Sequence, residues 1–245
     1  MSEHMPLKFP FSASDTKIQR ARKHMAELEA EIAEFIGNGP AKFHTRIANK
    51  SGVLGFEIQA DLSGPPESMG AIIGDVVHNL RAALDLAACE MVRAMGQSEK
   101  DVYFPFSDKA EDLDNMISKR HFDRAGPDAV ALLKNWQPYK SGDTGLRVIH
   151  DLDIQDKHRA LIPQVMHAAS PVVRLWDDDR TFNPTIMGDP NVASETKLVF
   201  PTDSGPQGRE LVPTLRELAQ LVEDVVAAFR VLANKNIDGR PTALP

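Results

Sequence analysis

The chain has 245 residues, 42% apolar and 26% charged, enough for one packed domain and too apolar for a disordered polymer. A formal charge of −7 argues against general DNA binding or adhesion to an anionic membrane, because both need a basic footprint. The single cysteine, Cys89, excludes an intrachain disulfide and any cysteine-based zinc or iron–sulfur site, and reads as a small core residue in a reducing cytosol.

The opening MSEHMPLKFPFSASD carries no basic flank followed by an apolar run. No stretch approaches the roughly 18 apolar residues of a membrane span, so a cytoplasmic protein without a membrane partner is expected. Residues 1–13 read as a flexible leader, 14–233 as one domain and 234–245 as a loose tail. Ser14 or Asp15 supplies a helix N-cap, and Ile18, Met25, Leu28, Ile32 and Phe35 follow at helical spacing until Gly37-Asn38-Gly39-Pro40 stops the helix. Residues 43–49 and 54–62 flank Lys50-Ser51-Gly52, and Phe56, Ile58 and Ala60 alternate with polar neighbours, which predicts a β-hairpin with one wet face.

Pro65-Pro66-Glu67 opens a long helix, about residues 67–95, ended by Gly96. Advancing roughly 100° per residue, Ile73, Val76, Val77, Leu80, Leu84, Ala87, Met91 and Met95 form one apolar stripe. His78, Arg81 and Asp85 line one margin of it, Arg81 and Asp85 within pairing distance, while Asn79 points elsewhere. A proline-broken link, residues 103–106, leads to short helices over 110–119 and 127–135.

A further helix is expected over about 144–161. Arg147, Asp151, Gln155 and His158 share its polar face, whereas Asp153 and Asp156 project beside Ile149 and Leu152. A lone buried charge is unfavourable, so those carboxylates need partners. From Pro163 to Pro201 the pattern turns β-rich, with Val172–Trp176 and Thr196–Phe200 predicted to pair around a long polar loop, 177–194. Leu211, Leu215, Leu218, Val222, Val225, Phe229 and Leu232 mark a closing amphipathic helix with Pro213 in its first turn. The order predicts an α+β fold, predominantly helical: a helical bundle with a small antiparallel sheet built from two hairpins.

His78-Asn79-Leu80-Arg81 with Leu84 and Asp85, then Gln137-Pro138-Tyr139, then Asp156-Lys157-His158-Arg159 resemble the signature of a bacterial protein family, over roughly residues 65–162. That resemblance implies a family and brings no activity with it. The helical pattern is also distantly similar to HEPN-type proteins, many of them metal-independent RNases that pair an arginine with a histidine four to six residues later in one helix, often across a dimer interface. This chain departs from that pattern, since no histidine follows Arg81 at that spacing.

The HEPN-type resemblance therefore implies that Arg81 and His158 meet from different helices. His158 would be the acid/base, with Asp85 or Asp156 orienting it and Arg81 and Lys157 neutralising phosphate. His78, Asn79 and Arg159 complete the candidate phosphate or substrate site, with RNA as partner, a homodimer as assembly and no cofactor. A second enzymatic reading takes His150-Asp151 as part of a metal-dependent phosphohydrolase site completed by His78 or His121 and Asp153 or Asp156. A third takes Arg81, Asp85, Asp156 and His158 as a structural salt-bridge network in a binding or assembly protein. No heptad pattern is long enough to predict an interface.

Overall fold

A computed structural model describes residues 11–50, 53–142, 145–168, 171–176, 182–188 and 195–238. The fold is predominantly helical α+β. Helix α1 (Ser12–Gly37), the hairpin β1 (Ala41–Lys50) and β2 (Val53–Leu62), and helix α2 (Glu67–Ala94) follow in order. After them come α3 (Leu113–Lys119), α4 (Pro127–Asn135) and α5 (Leu146–His158). Strands β3 (Gln164–Ala168), β4 (Pro171–Trp176), β5 (Phe182–Gly188) and β6 (Glu195–Val199) precede the closing helix α6 (Leu211–Asp238).

Helix α2 is the axis of the molecule and packs against α1, α5 and α6. Its stripe Ile73, Val76, Val77, Leu80, Leu84, Ala87 and Met91 is fully buried, because every side chain on that arc faces another helix. Phe229 of α6 stacks on Phe122, ring centroids 5.5 Å apart, and lies 6.4 Å from Phe104 of the proline-broken link. The link thereby becomes a buried strap, with Val102, Phe104 and Phe106 all in the core.

Helix α1 starts earlier than its sequence signal: its N-cap position is Phe11, three residues before Ser14, which lies inside the first turn. The Ser14 hydroxyl is buried and donates to Glu90 Oε2 of α2 at 2.6 Å. Glu90, itself 3% exposed, also accepts the backbone N–H groups of Ala13 (2.9 Å) and Ser14 (3.3 Å). The N-cap is therefore supplied by α2 rather than by the neighbouring chain.

The hairpin β1–β2 pairs Ala41 with Leu62 and Lys50 with Val53, and His44 and Asp61 lie exposed 3.1 Å apart. The second β region differs from expectation. Val172–Trp176 and Thr196–Phe200 are not partners: β3 pairs with β6, and β4 pairs with β5, nested inside them. The stretch read as polar loop contains β5. Pro184 sits at the register shift between Arg174 and Trp176, where a residue without an N–H fits a bulge. Among the described residues the strands form three separate two-stranded antiparallel pairings.

Helix α6 continues to Asp238, five residues into the stretch expected as tail from 234 onward. Residues 1–10, 51–52, 143–144, 169–170, 177–181, 189–194 and 239–245 lie outside the described residues. Among the described residues no helix is long and apolar enough to cross a membrane.

Candidate functional site

Helices α2 and α5 run antiparallel, which sets the two polar segments against each other. Gly70 meets Leu161 and Ile162, Gly74 meets Asp156, His78 meets Asp153 and Arg81 meets His150. The contact divides into a closed half and an open half.

The closed half lies under the 104–108 strap. Arg81 Nη1 stands 2.6 Å from Asp85 Oδ1, and Nε donates to His150 Nδ1 at 3.4 Å. Its guanidinium carbon lies 4.7 Å over the Phe106 ring, and His150 stacks on the same ring at 4.8 Å. Asp85 Oδ1 accepts the Phe104 N–H at 2.9 Å, fastening the strap to α2. Burial first, then the charges of Arg81 and Arg147, push the His150 pKa down from 6.5 to about 4, so its imidazole is neutral at pH 7.

Arg147, expected on the polar face of α5, is instead buried by the strap. Its Nε donates to Asp151 Oδ1 at 2.8 Å, its Nη1 to the Ser107 carbonyl and its Nη2 to Asp108 Oδ1 at 2.8 Å. Lys140 and Arg147 together hold the Asp108 carboxyl below its usual value.

The open half lies one to two turns away. Asp153 is almost wholly buried and finds the partners its position demanded: His78 Nδ1 at 3.2 Å from Oδ1 and Lys157 Nζ at 2.6 Å from Oδ2. The His78 and Lys157 side chains are 56% and 57% exposed, so both face solvent from a buried carboxylate. Asp156 lies directly over Gly74. Its pKa is raised, chiefly by burial and then by the charges of Asp153 and Asp75.

Other candidate residues are placed elsewhere. His158 is exposed at the end of α5, eight residues beyond His150, and a rise of 1.5 Å per residue puts it about 12 Å further along the axis. It therefore does not meet Arg81; His150 does. Asn79 turns to α1, its Oδ1 3.5 Å from Lys17 Nζ and its Nδ2 bonded to the Asp75 carbonyl. Arg159 pairs with Asp203 at 2.7 Å, both exposed. Among the described residues no three His, Cys, Asp or Glu side chains stand close enough to share a metal ion. His150 and Asp151, the core of the metal-dependent reading, are turned to Arg81 and Arg147 respectively.

The residues missed by sequence reasoning are Arg147, Asp108 and Phe106. Only Arg147 carried a local signal, a cation four residues before Asp151, and that signal is equally common on solvated helix faces. No family model, no curated protein and no solved structure matches the chain. The α2–α5 geometry thus carries the functional argument.

Proposed function

We propose that the α2–α5 polar belt is an assembly element and that the protein works by binding rather than by chemistry at that belt. One observation carries this reading: Arg147 commits all three guanidinium nitrogens to Asp151, Ser107 and Asp108 of its own chain, and Arg81, largely buried, is ion-paired to Asp85 with Nε on His150. A guanidinium that binds phosphate keeps a fork of N–H donors aimed at an open cleft. Here the donors tie α5, α2 and the strap together, a role suited to fixing helix register.

A second reading is metal-independent cleavage of RNA of the HEPN type, and the His78–Asp153 pair favours it. A buried carboxylate holding Nδ1 of an exposed imidazole is the arrangement that orients a general acid or base, and Lys157 stands beside it as a charge for phosphate. It ranks second because Asp153 pairs with His78 and the charges of Asp153 and Asp75 both act on Asp156 beside it, a concentration of carboxylates that opposes a polyanion.

The test is cleavage of a mixed RNA pool by the purified chain, with and without EDTA, beside His78→Ala and Arg81→Ala/His158→Ala. Intact RNA in every sample, with the Arg81 variant melting lower, supports the assembly reading. Cleavage that survives EDTA and disappears in His78→Ala overturns it in favour of the nuclease. EDTA-sensitive cleavage overturns both and points to metal-dependent chemistry.

A further inference from the structure

Along the surface seam between α1 and α6, three ion pairs recur every seven residues. Asp15 lies 2.6 Å from Arg230, Arg22 is bidentate to Glu223 at 2.6 and 2.7 Å, and Glu29 lies 2.7 Å from Arg216. Reading down α1 the signs are minus, plus, minus; down the antiparallel α6 at the same levels they are plus, minus, plus. All six side chains keep partial exposure, between 27% and 62%. Two open grooves of about 350 Å³ and 300 Å³ lie over this seam, at Ala26–Gln220 and at Gln19–Ala227.

We propose that a second copy of this chain docks on the α1–α6 seam, forming a two-fold dimer in which the four helices make an up-down bundle. This deepens the assembly reading and rests on it. The charges of the seam are self-complementary under one symmetry operation. A two-fold axis parallel to the seam leaves each residue at its own level and carries α1 across to face α6 of the other copy. Asp15 then faces Arg230, Arg22 faces Glu223 and Glu29 faces Arg216 between chains, so each charge gains a second opposite neighbour and none meets its like.

Every helix of that bundle is antiparallel to both neighbours, the usual arrangement for four-helix packing. The small residues Ala26 and Ala227 lie on the outer side of the ladder, and at matching levels Gln19 of one copy faces Ala227 of the other and Ala26 faces Gln220. A long side chain thus opposes a short one at each groove, which lets the backbones approach. The alternating signs also reject a shift of one heptad, which would place like charges together.

The experiment is sedimentation equilibrium on the full chain, using wild type, Arg22→Glu, Glu223→Arg, an equimolar mixture of the two variants, and the double variant Arg22→Glu/Glu223→Arg. Each single variant puts like charges between copies and should be a monomer. In the mixture, the carboxylate introduced by Arg22→Glu in one chain faces the guanidinium introduced by Glu223→Arg in the other, so a dimer should return. The double variant restores every pair and should dimerise as wild type does. The Kd of the wild-type dimer should rise about tenfold or more between about 0.05 M and 0.5 M NaCl. A wild-type monomer at about 100 μM, single variants that remain dimeric, or a mixture that stays monomeric would each overturn the proposal. Circular dichroism on each single variant, whose intrachain Arg22–Glu223 pair is also lost, separates lost folding from lost docking. A monomer that also leaves RNA intact overturns the dimer alone and leaves the assembly reading with a different partner.

Discussion

Acid should loosen the belt through His150. Its ring stacks on Phe106 with planes 15° apart, beside the Arg81 guanidinium, and its pKa is held at about 4 against an ordinary 6.5. The folded chain therefore keeps this imidazole neutral while the unfolded chain takes up a proton as pH falls through 6.5. Across the window from 6.5 down to 4 the unfolded state binds more protons, so stability is full above that window and is lost on acidification. Between about pH 7.5 and pH 5 these two values give a loss of about 2 kcal/mol, which solvent reaching the ring reduces to about 1 kcal/mol. For a chain of this length 1 kcal/mol corresponds to roughly 2 °C in Tm. The control is His150→Phe, which keeps a ring against Phe106 and removes the titrating nitrogens. Thermal unfolding of both proteins across that pH range should show the wild-type Tm falling about 2–4 °C further than the variant's. Equal slopes for the two proteins, or an NMR titration placing His150 near or above about 6, would show that His150 is not the group through which acid loosens the belt.

Removing the distant cap should unsettle α1: Glu90→Ala leaves the Ala13 and Ser14 N–H groups without their acceptor, while the Ser14 hydroxyl keeps the Phe11 carbonyl at 3.0 Å, costing about 3 kcal/mol and roughly 6 °C in Tm. Hydrogen exchange should show protection lost first at Ala13 and Ser14; unchanged protection there would show that the cap is not Glu90. Gly74→Ala places a methyl 2.4 Å from both Asp156 carboxylate oxygens, so the carboxylate must swing away. The clash should outweigh the helix-propensity gain of about 1 kcal/mol, and adding Asp156→Ala should turn the net change to stabilisation, read by urea titration. His158→Ala should leave Tm within about 1 °C of wild type, whereas Arg81→Ala, which empties a site flanked by Asp85, His150 and Phe106, should cost about 3 kcal/mol; comparable losses in both would contradict the separation of the two residues. The Cys89 thiol, pushed up to about 11 chiefly by burial, should react slowly with a disulfide reagent at pH 8 and rapidly once the chain is unfolded.

Local signals placed most elements. The apolar stripe of α2, Pro127 at the first turn of α4, and the β1–β2 hairpin are each written within a few consecutive residues, because helix faces repeat every 3.6 residues and turns need particular backbone angles. The need of Asp153 for a partner was legible in the same way, from a carboxylate on an apolar arc. The pairing of β3 with β6 was not. Alternation marks a strand but not its neighbour, and within the stretch expected as a polar loop Pro184 sits at a bulge and Gly188 at the end of β5.

Periodicity along the chain sets where helices form, which faces they bury and that charged groups on those faces need each other. Packing alone selects which charges meet. The antiparallel setting of α5 on α2 put His150, not His158, beside Arg81, and the strap covered an arginine whose local pattern matched a solvated helix face. The seven-residue spacing of Asp15, Arg22 and Glu29 and of Arg216, Glu223 and Arg230 was visible in the chain, yet became a ladder only when the helices were brought side by side. The physical reason is range: propensity and amphipathic period act within a few residues, whereas desolvation and charge pairing depend on neighbours that only the packed fold supplies.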